Sequence, residues 1–264
     1  MTTFRDHVIW ITGGGSGIGR ALAEAFAADG AMVAVSGRRA EPLDATVAAI
    51  ESAGGRGLAV PLDVTDEDAV FAAVDTIVDH FGRLDVAVAN AGFSVAGRIA
   101  KLSAEDWRRQ FDVNVVGLTS TARAALPHLE ATKGRLVFIG SVMAYIGAPG
   151  TGAYAASKFA VRAIGESLAM ELHGSGVSVT TIHPGFVESD IARVSNDNQL
   201  KPGAKDPRPA KLMWPADRAA KVMKRAIARR KRQFVFTGHG RVAATLGRWA
   251  PGLVYFAVTR GSRR

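Results

Sequence analysis

The sequence predicts a single doubly wound α/β domain, a mostly parallel sheet with helices on both faces, and three observations carry that expectation. Short β-branched runs at residues 8–11, 32–35, 57–60, 84–89, 135–140 and 177–182 alternate with longer helical patterns at 18–29, 40–53, 67–81, 104–129 and 153–172. The runs are mostly apolar, as strands covered on both faces are. At 264 residues, 48% of them hydrophobic, the chain can fill one core of that size. Strand-helix alternation at this spacing calls for parallel crossovers. In such sheets a ligand sits beyond the carboxyl ends of the strands, where the winding reverses. Function is therefore read from the residues just after each strand.

The first strand runs into Thr12-Gly13-Gly14-Gly15-Ser16-Gly17-Ile18-Gly19 and then a helix. Glycines permit the tight turn, and the amides at the helix start favour a pyrophosphate. Gly13, Ser16, Gly17, Ile18 and Gly19 are assigned to that contact, which makes the domain Rossmann-type. The spacing is T-G-x3-G-x-G and lacks the G-x-G-x-x-G fingerprint. The second strand ends in Ser36-Gly37-Arg38-Arg39, where the adenosine ribose is expected. An NAD site usually offers a carboxylate there. Gly37 followed by the guanidinium groups of Arg38 and Arg39 suits a 2′-phosphate, so NADP(H) is favoured over NAD(H).

The catalytic pattern is Tyr154-Ala155-Ala156-Ser157-Lys158, preceded by Ser141 at a strand end. Residues four apart share a helix face, which sets Lys158 beneath Tyr154. The ammonium is expected to lower the tyrosine pKa from about 10, making the phenol an acid/base near neutral pH.

With these motifs, residues 5–240 resemble the classical short-chain dehydrogenase/reductase family. Asn90-Ala91-Gly92 after the fourth strand looks like the family's sheet-stabilising N-A-G, and Asp63-Val64 like its adenine contact. Asn114 matches the asparagine of the family's catalytic tetrad, beside Ser141, Tyr154 and Lys158. Pro184-Gly185 matches the P-G that shapes the nicotinamide pocket, and Val187 and Ser189 come just after it. Serine stands at position 189 where the family commonly has threonine. The resemblance implies hydride transfer between nicotinamide and a carbonyl carbon, with Tyr154 as general acid and Ser141 bonding the carbonyl oxygen. Lys158 would tune Tyr154 and bind the nicotinamide ribose, and Asn114 would hold a water linking Lys158 to solvent. It also implies a homodimer or homotetramer built on the helices that contain Asn114 and Tyr154.

Phe93, Met143 and Phe186 lie just beyond three strand ends, and with Ser141 and Tyr154 they are assigned to substrate. The run Val142-Met143-Ala144-Tyr145-Ile146 is expected to make that pocket apolar. A hydrophobic ketone or secondary alcohol of lipid-, steroid- or aromatic-like character is the substrate this implies. The competing reading is a nucleotide-binding regulatory or scaffold protein of the same fold without turnover. Residues 188–215, with four prolines and no period, are expected to be a mobile lid loop. Lys201, Lys205, Arg208 and Lys211 in it suit an anionic substrate tail, or simply a basic, solvated loop.

Residues 1–240 are thus assigned to the catalytic domain and 241–264 to a basic, apolar tail. The net charge of +9 is regional: residues 221–264 hold 12 Lys/Arg and no Asp/Glu, whereas residues 1–220 hold 21 basic and 24 acidic side chains. Residues 221–232 read as an amphipathic basic helix leading into a last strand at Phe234-Val235-Phe236. The tail's aromatics among arginines suit peripheral contact with an anionic membrane, and equally packing against the body or another subunit. No nucleic-acid recognition motif accompanies the charge, so no nucleic-acid partner is expected. With no cysteine, no signal-like start and no membrane-spanning run, a cytoplasmic protein without a metal is expected.

Overall fold

The computed structural model describes residues 4–201, 203 and 206–261. Seven parallel strands form one sheet in the order β3-β2-β1-β4-β5-β6-β7. They are β1 (Val8–Thr12), β2 (Met32–Gly37), β3 (Arg56–Pro61), β4 (Val86–Ala89), β5 (Arg135–Ile139), β6 (Ser178–His183) and β7 (Gln233–Val235). Winding runs outward from β1 through β2 to β3, then reverses, with β4 pairing on the other side of β1. The crevice of a doubly wound sheet therefore opens beyond Thr12 and Ala89.

Alternate residues of β1 explain its apolar run. Ile9 and Ile11 enter one core with Leu22, Phe26, Met223 and Ile227. Val8 and Trp10 enter the other with Val74, Ile77, Leu129 and Val161. The first layer holds α1 (Gly17–Ala27), α2 (Ala40–Ser52) and α7 (Ala216–Ala228). The second holds α3 (Glu67–Phe81), α5 (Gly117–Thr132) and α6 (Gly152–Glu171). Ends obey local chemistry: Asp66 accepts from the Ala69 amide at the start of α3, and Gly82, at φ +82°, closes it.

The helix expected over 104–129 is broken. It comprises α4 (Ala104–Phe111), a π turn at Asp112–Val116 and α5. The extra residue in the wide turn has a cause on its inner side, where the buried Asn114 amide grips the main chain of Phe93. Such insertions in a helix often accompany functional sites.

Two expectations about the carboxyl-terminal third also change. The basic helix begins at Ala216 and ends at Ala228; its apolar side packs on α1, and Lys224 pairs with Asp29 at 2.6 Å. Residues 241–261 form no separate tail: α8 (Gly238–Trp249) spans position 240 and is succeeded by α9 (Pro251–Gly261). Arg263 and Arg264 lie outside the described residues, as does Lys205.

The expected lid carries short 3-10 turns at Asp190–Arg193 and Ala210–Leu212, and Val187 and Trp214 form an isolated parallel bridge across its base. Arg208 braces it by donating to Asp206, to the Val187 and Ser189 carbonyls and to the Ser189 hydroxyl. Among the described residues, no helix is long and apolar enough to cross a membrane.

Candidate active site

A cleft of about 490 Å³ runs along the carboxyl ends of the strands. All eighteen positions assigned from sequence to the cofactor line it, from Gly13 through Arg38, Asp63 and Asn90 to Lys158 and Ser189.

At one end the wall is main chain. Gly13 sits at φ +68° and Gly17 at φ +51°. A Cβ on Gly19 would stand 2.1 Å from the Gly13 carbonyl oxygen, so only a bare backbone packs there. The Ser16 hydroxyl does not cap α1, and the first-turn amides of a helix have no intrahelical acceptor. Such a rim of unpartnered donors fits a pyrophosphate. The turn is held from behind: Asn90 donates through Nδ2 to the Thr12 carbonyl at 2.9 Å and the Gly13 carbonyl at 3.1 Å. Thr12 Oγ1 accepts from the Asn90 and Ala91 amides. At the far rim Gly37, Arg38 and Arg39 line the cleft, and Arg38 Nη2 donates to the Asn198 carbonyl of the lid at 2.9 Å. Asp63 receives both the amide and the hydroxyl of Thr65. These residues fit the adenosine half of a nicotinamide dinucleotide.

At the other end the wall is side chain. Ser141, Tyr154 and Lys158 open together into the cleft, from the end of β5 and the first turns of α6. Lys158 Nζ donates to the Ile139 carbonyl at 2.8 Å and lies 5.7 Å from the centre of the Tyr154 ring. The expected lowering of the tyrosine pKa is reversed in this structure. Burial pushes the Tyr154 phenol up; the Ser141 hydroxyl and, more weakly, the Arg208 guanidinium pull it back only in part. Burial also pulls the Lys158 ammonium down to about 8. Lys158 still carries its charge for the most part at pH 7, and the phenol keeps its proton.

Asn114 does not line the cleft. Only 1% exposed, it accepts from the Phe93 amide and donates to the Phe93 carbonyl, each at 3.0 Å. It also donates to Ser157 Oγ at 3.1 Å, and that hydroxyl donates to the Tyr154 carbonyl at 2.7 Å. Its amide therefore braces the turn of α6 that carries Tyr154.

Of the residues assigned to substrate, Phe93, Ser141 and Tyr154 line the cleft, whereas Met143 and Phe186 do not. Phe186 stacks on His239 with ring centres 5.2 Å apart. Tyr145, from the run expected to border the pocket, turns away to bond Gln233 at 2.8 Å. Two residues not singled out from sequence lie buried behind the cleft without lining it. Gln110, one turn before Asn114, bonds the Val95 amide and the Phe93 carbonyl. His183, immediately before Pro184, donates from Nδ1 to the Ser141 carbonyl at 3.2 Å, and burial lowers its pKa to about 4. Their signal in sequence was adjacency alone: a polar residue inside an apolar strand, and another one turn from a recognised motif.

The family model described as short chain dehydrogenase matches residues 7–200. Meso-2,3-butanediol dehydrogenase of Serratia marcescens is 36% identical over 188 residues, 71% of this chain and 74% of that one. A short chain dehydrogenase of Burkholderia cenocepacia solved with NADP superposes with a TM-score of 0.80 at 32% identity, covering 90% of this chain and 99% of that one. A short-chain dehydrogenase/reductase of Burkholderia phymatum solved with NAD gives a TM-score of 0.84 at 29% identity, with 97% of each chain covered.

Proposed function

The chain belongs to the short-chain dehydrogenase/reductase family of oxidoreductases, and we propose that it interconverts an apolar ketone and its secondary alcohol with NADP(H). One observation carries the reading: the protonated phenol of Tyr154, the Ser141 hydroxyl and the Lys158 ammonium share a single cleft with the glycine turn. Bound in that cleft, the nicotinamide dinucleotide supplies the hydride.

The protein's part is electrostatic and positional. Ser141 Oγ donates to the carbonyl oxygen and fixes its angle while negative charge grows there. Tyr154 Oη releases its proton to the same oxygen, a step worth about 10²–10⁴-fold when the donor is well placed. The pKa raised by burial suits that role, because a phenol that holds its proton at neutral pH is a donor. Lys158 supplies the positive charge beside the phenolate left behind. Asn114 and Ser157 hold the Tyr154 turn against Phe93, and His183 holds the Ser141 backbone. All three act as positioning residues.

NADP(H) is favoured over NAD(H) because guanidinium groups, and no carboxylate, stand at the end of β2. An apolar substrate is favoured because Phe93 and Val194, which pack together, line the cleft with Ile191 and Leu200. Arg208 is committed to Asp206 and the lid backbone, and Lys211 is exposed beyond the cleft, so neither supports the anionic-tail reading. Self-association is part of the proposal: Val116, Phe159 and Met170 leave large apolar side chains exposed at and along α5 and α6.

The test is oxidation of NADPH and of NADH by the purified protein across a panel of aliphatic, steroidal and aromatic ketones. The proposal expects consumption of NADPH with at least one apolar ketone and a much lower rate with NADH. Tight NADPH binding with no oxidation by any ketone would favour the scaffold reading instead.

A further inference from the structure

Helix α8 carries two stripes on opposite faces. Gly240, Ala244 and Gly247 face inward, and the helix rests so close to the body that larger side chains have no room there. A Cβ on Gly247 would lie 2.3 Å from the Tyr145 carbonyl oxygen, and one on Gly240 2.5 Å from Thr237 Oγ1. Val242, Leu246 and Trp249, at the i, i+4, i+7 spacing of one helix face, point outward instead. After the break at Ala250, α9 adds Leu253, Tyr255 and Phe256 to the exposed set. Trp249 and Tyr255 are 76% and 73% exposed, and six of the twelve large apolar side chains exposed among the described residues lie between 242 and 256. Single exposed apolar residues mean little, but a contiguous group of this kind marks a contact surface.

The charge around the patch identifies what it meets. Arg241, Arg248 and Arg260 are exposed on the same two helices. Arg248 lies over Trp249 at 5.3 Å and Arg260 over Phe256 at 3.9 Å, and none of the three is ion-paired among the described residues. By contrast, cations of the preceding segment are committed to the body: Lys224 to Asp29, Lys221 to Asp217, and Arg230 to the carbonyls of Lys133, Gly134 and Gly176. From Lys221 to the last residue there is no Asp or Glu. A two-fold contact through this segment alone would set an acid-free surface against itself. A nucleic acid would satisfy the arginines and leave Leu253 and Phe256 facing phosphates.

We propose that the outer face of α8–α9 docks on an anionic lipid bilayer, with the aromatic and aliphatic side chains at the headgroup boundary and the arginines on the lipid phosphates. Residues 1–220 hold 24 acidic against 21 basic side chains, so the body is not drawn to that surface and α8–α9 face it. Because α8 packs on the turn Val142–Ala144 just after Ser141, docking brings the lipid phase beside the reacting end of the cleft. The inference goes beyond the proposed chemistry and does not depend on it.

The test uses the full-length chain, sedimented with phosphatidylcholine vesicles that do or do not contain phosphatidylglycerol, at low and high salt. Binding is expected with anionic vesicles only and should fall as salt shortens the screening length. Arg241→Gln, Arg248→Gln and Arg260→Gln should each weaken it by about fivefold, the scale of one cation near such a surface. A Trp249→Ser/Tyr255→Ser/Phe256→Ser variant should lose binding while keeping the wild-type Tm, because none of the three side chains is buried. Protein that stays in the supernatant with anionic vesicles at low salt overturns the proposal. Equal binding to neutral vesicles overturns it too. A dimer that the aromatic substitutions dissociate, in protein that ignores vesicles, reassigns the face to a second copy. Retention on duplex DNA that needs the arginines but not the aromatics reassigns it to nucleic acid.

Discussion

The two ends of the cleft are made of different material. At the β1–β2 end the wall is backbone: glycines at positive φ, helix-start amides and carbonyls tied by Asn90. At the β5–β6 end it is side chain, with a phenol and an ammonium whose pKa values burial displaces, and a buried imidazole braces Ser141 from behind. Backbone walls bind through fixed dipoles and tolerate little bulk. Side-chain walls do chemistry, and they depend on a layer of braces that never touches the ligand. The first end should therefore govern affinity and the second rate, and substitutions at either end can break that division.

The largest effect is expected from Tyr154→Phe. It removes the proton donor and keeps the ring, so turnover should fall by about 10²–10⁴-fold. NADPH affinity, measured by fluorescence titration, should stay within about twofold because one hydroxyl contributes little to a long ligand held elsewhere. A parallel loss of affinity would erase the division between the two ends.

Next comes acid sensitivity from the brace behind Ser141. His183 holds its pKa at about 4 when folded, below the ordinary 6.5, so the unfolded chain takes up the proton first as pH falls. Its contribution is complete above pH 6.5 and is lost as pH drops toward 4, at a cost of about 3 kcal/mol. Denaturant unfolding across that window should show the decline, and His183→Asn, which keeps a donor for the Ser141 carbonyl, should flatten it. Identical slopes in both proteins would mean that the imidazole is not held neutral.

At the backbone end, Arg38→Ala should weaken NADPH by roughly 1.5–3 kcal/mol, the scale of a charge-assisted hydrogen bond, and leave NADH nearly unchanged. Equal weakening of both would show that Arg38 serves only the lid, through its bond to Asn198. The smallest effect is expected from Ser157→Ala, which cuts the link from Asn114 to the Tyr154 carbonyl. Its loss of about 1 kcal/mol should appear as a roughly fivefold fall in kcat with NADPH affinity intact. A change in affinity alone would place Ser157 with the binding wall.

The same division decides how far the sequence could be read. The sheet, its winding and the glycine turn are local: Gly13, Ser16–Gly19, Arg38 and Asp63-Val64 follow closely on their own strands, and all line the cleft. Tyr154 and Lys158 were legible for the same reason, one helix turn apart. The π turn at Asp112–Val116 was not, because its cause is a bond from Asn114 to Phe93, 21 residues away. The displaced pKa of Tyr154 escaped as well, since spacing reports a neighbouring ammonium and not the water removed around both groups. Met143 and Phe186 do not line this cleft, because a place beyond a strand end fixes a position, not the direction of a side chain. Phe186 finds His239 of α8, a helix with no strand-end motif to announce it.

The most direct test of the central claim is isotopic. NADPH deuterated at nicotinamide C4, on each face in turn, is incubated with the purified protein and an apolar ketone, and the product alcohol is examined by mass spectrometry. The account predicts that one of the two labelled cofactors delivers deuterium to the carbinol carbon while the other leaves it unlabelled. NADPH bound tightly, with no label transferred from either face to any ketone of the panel, would contradict it.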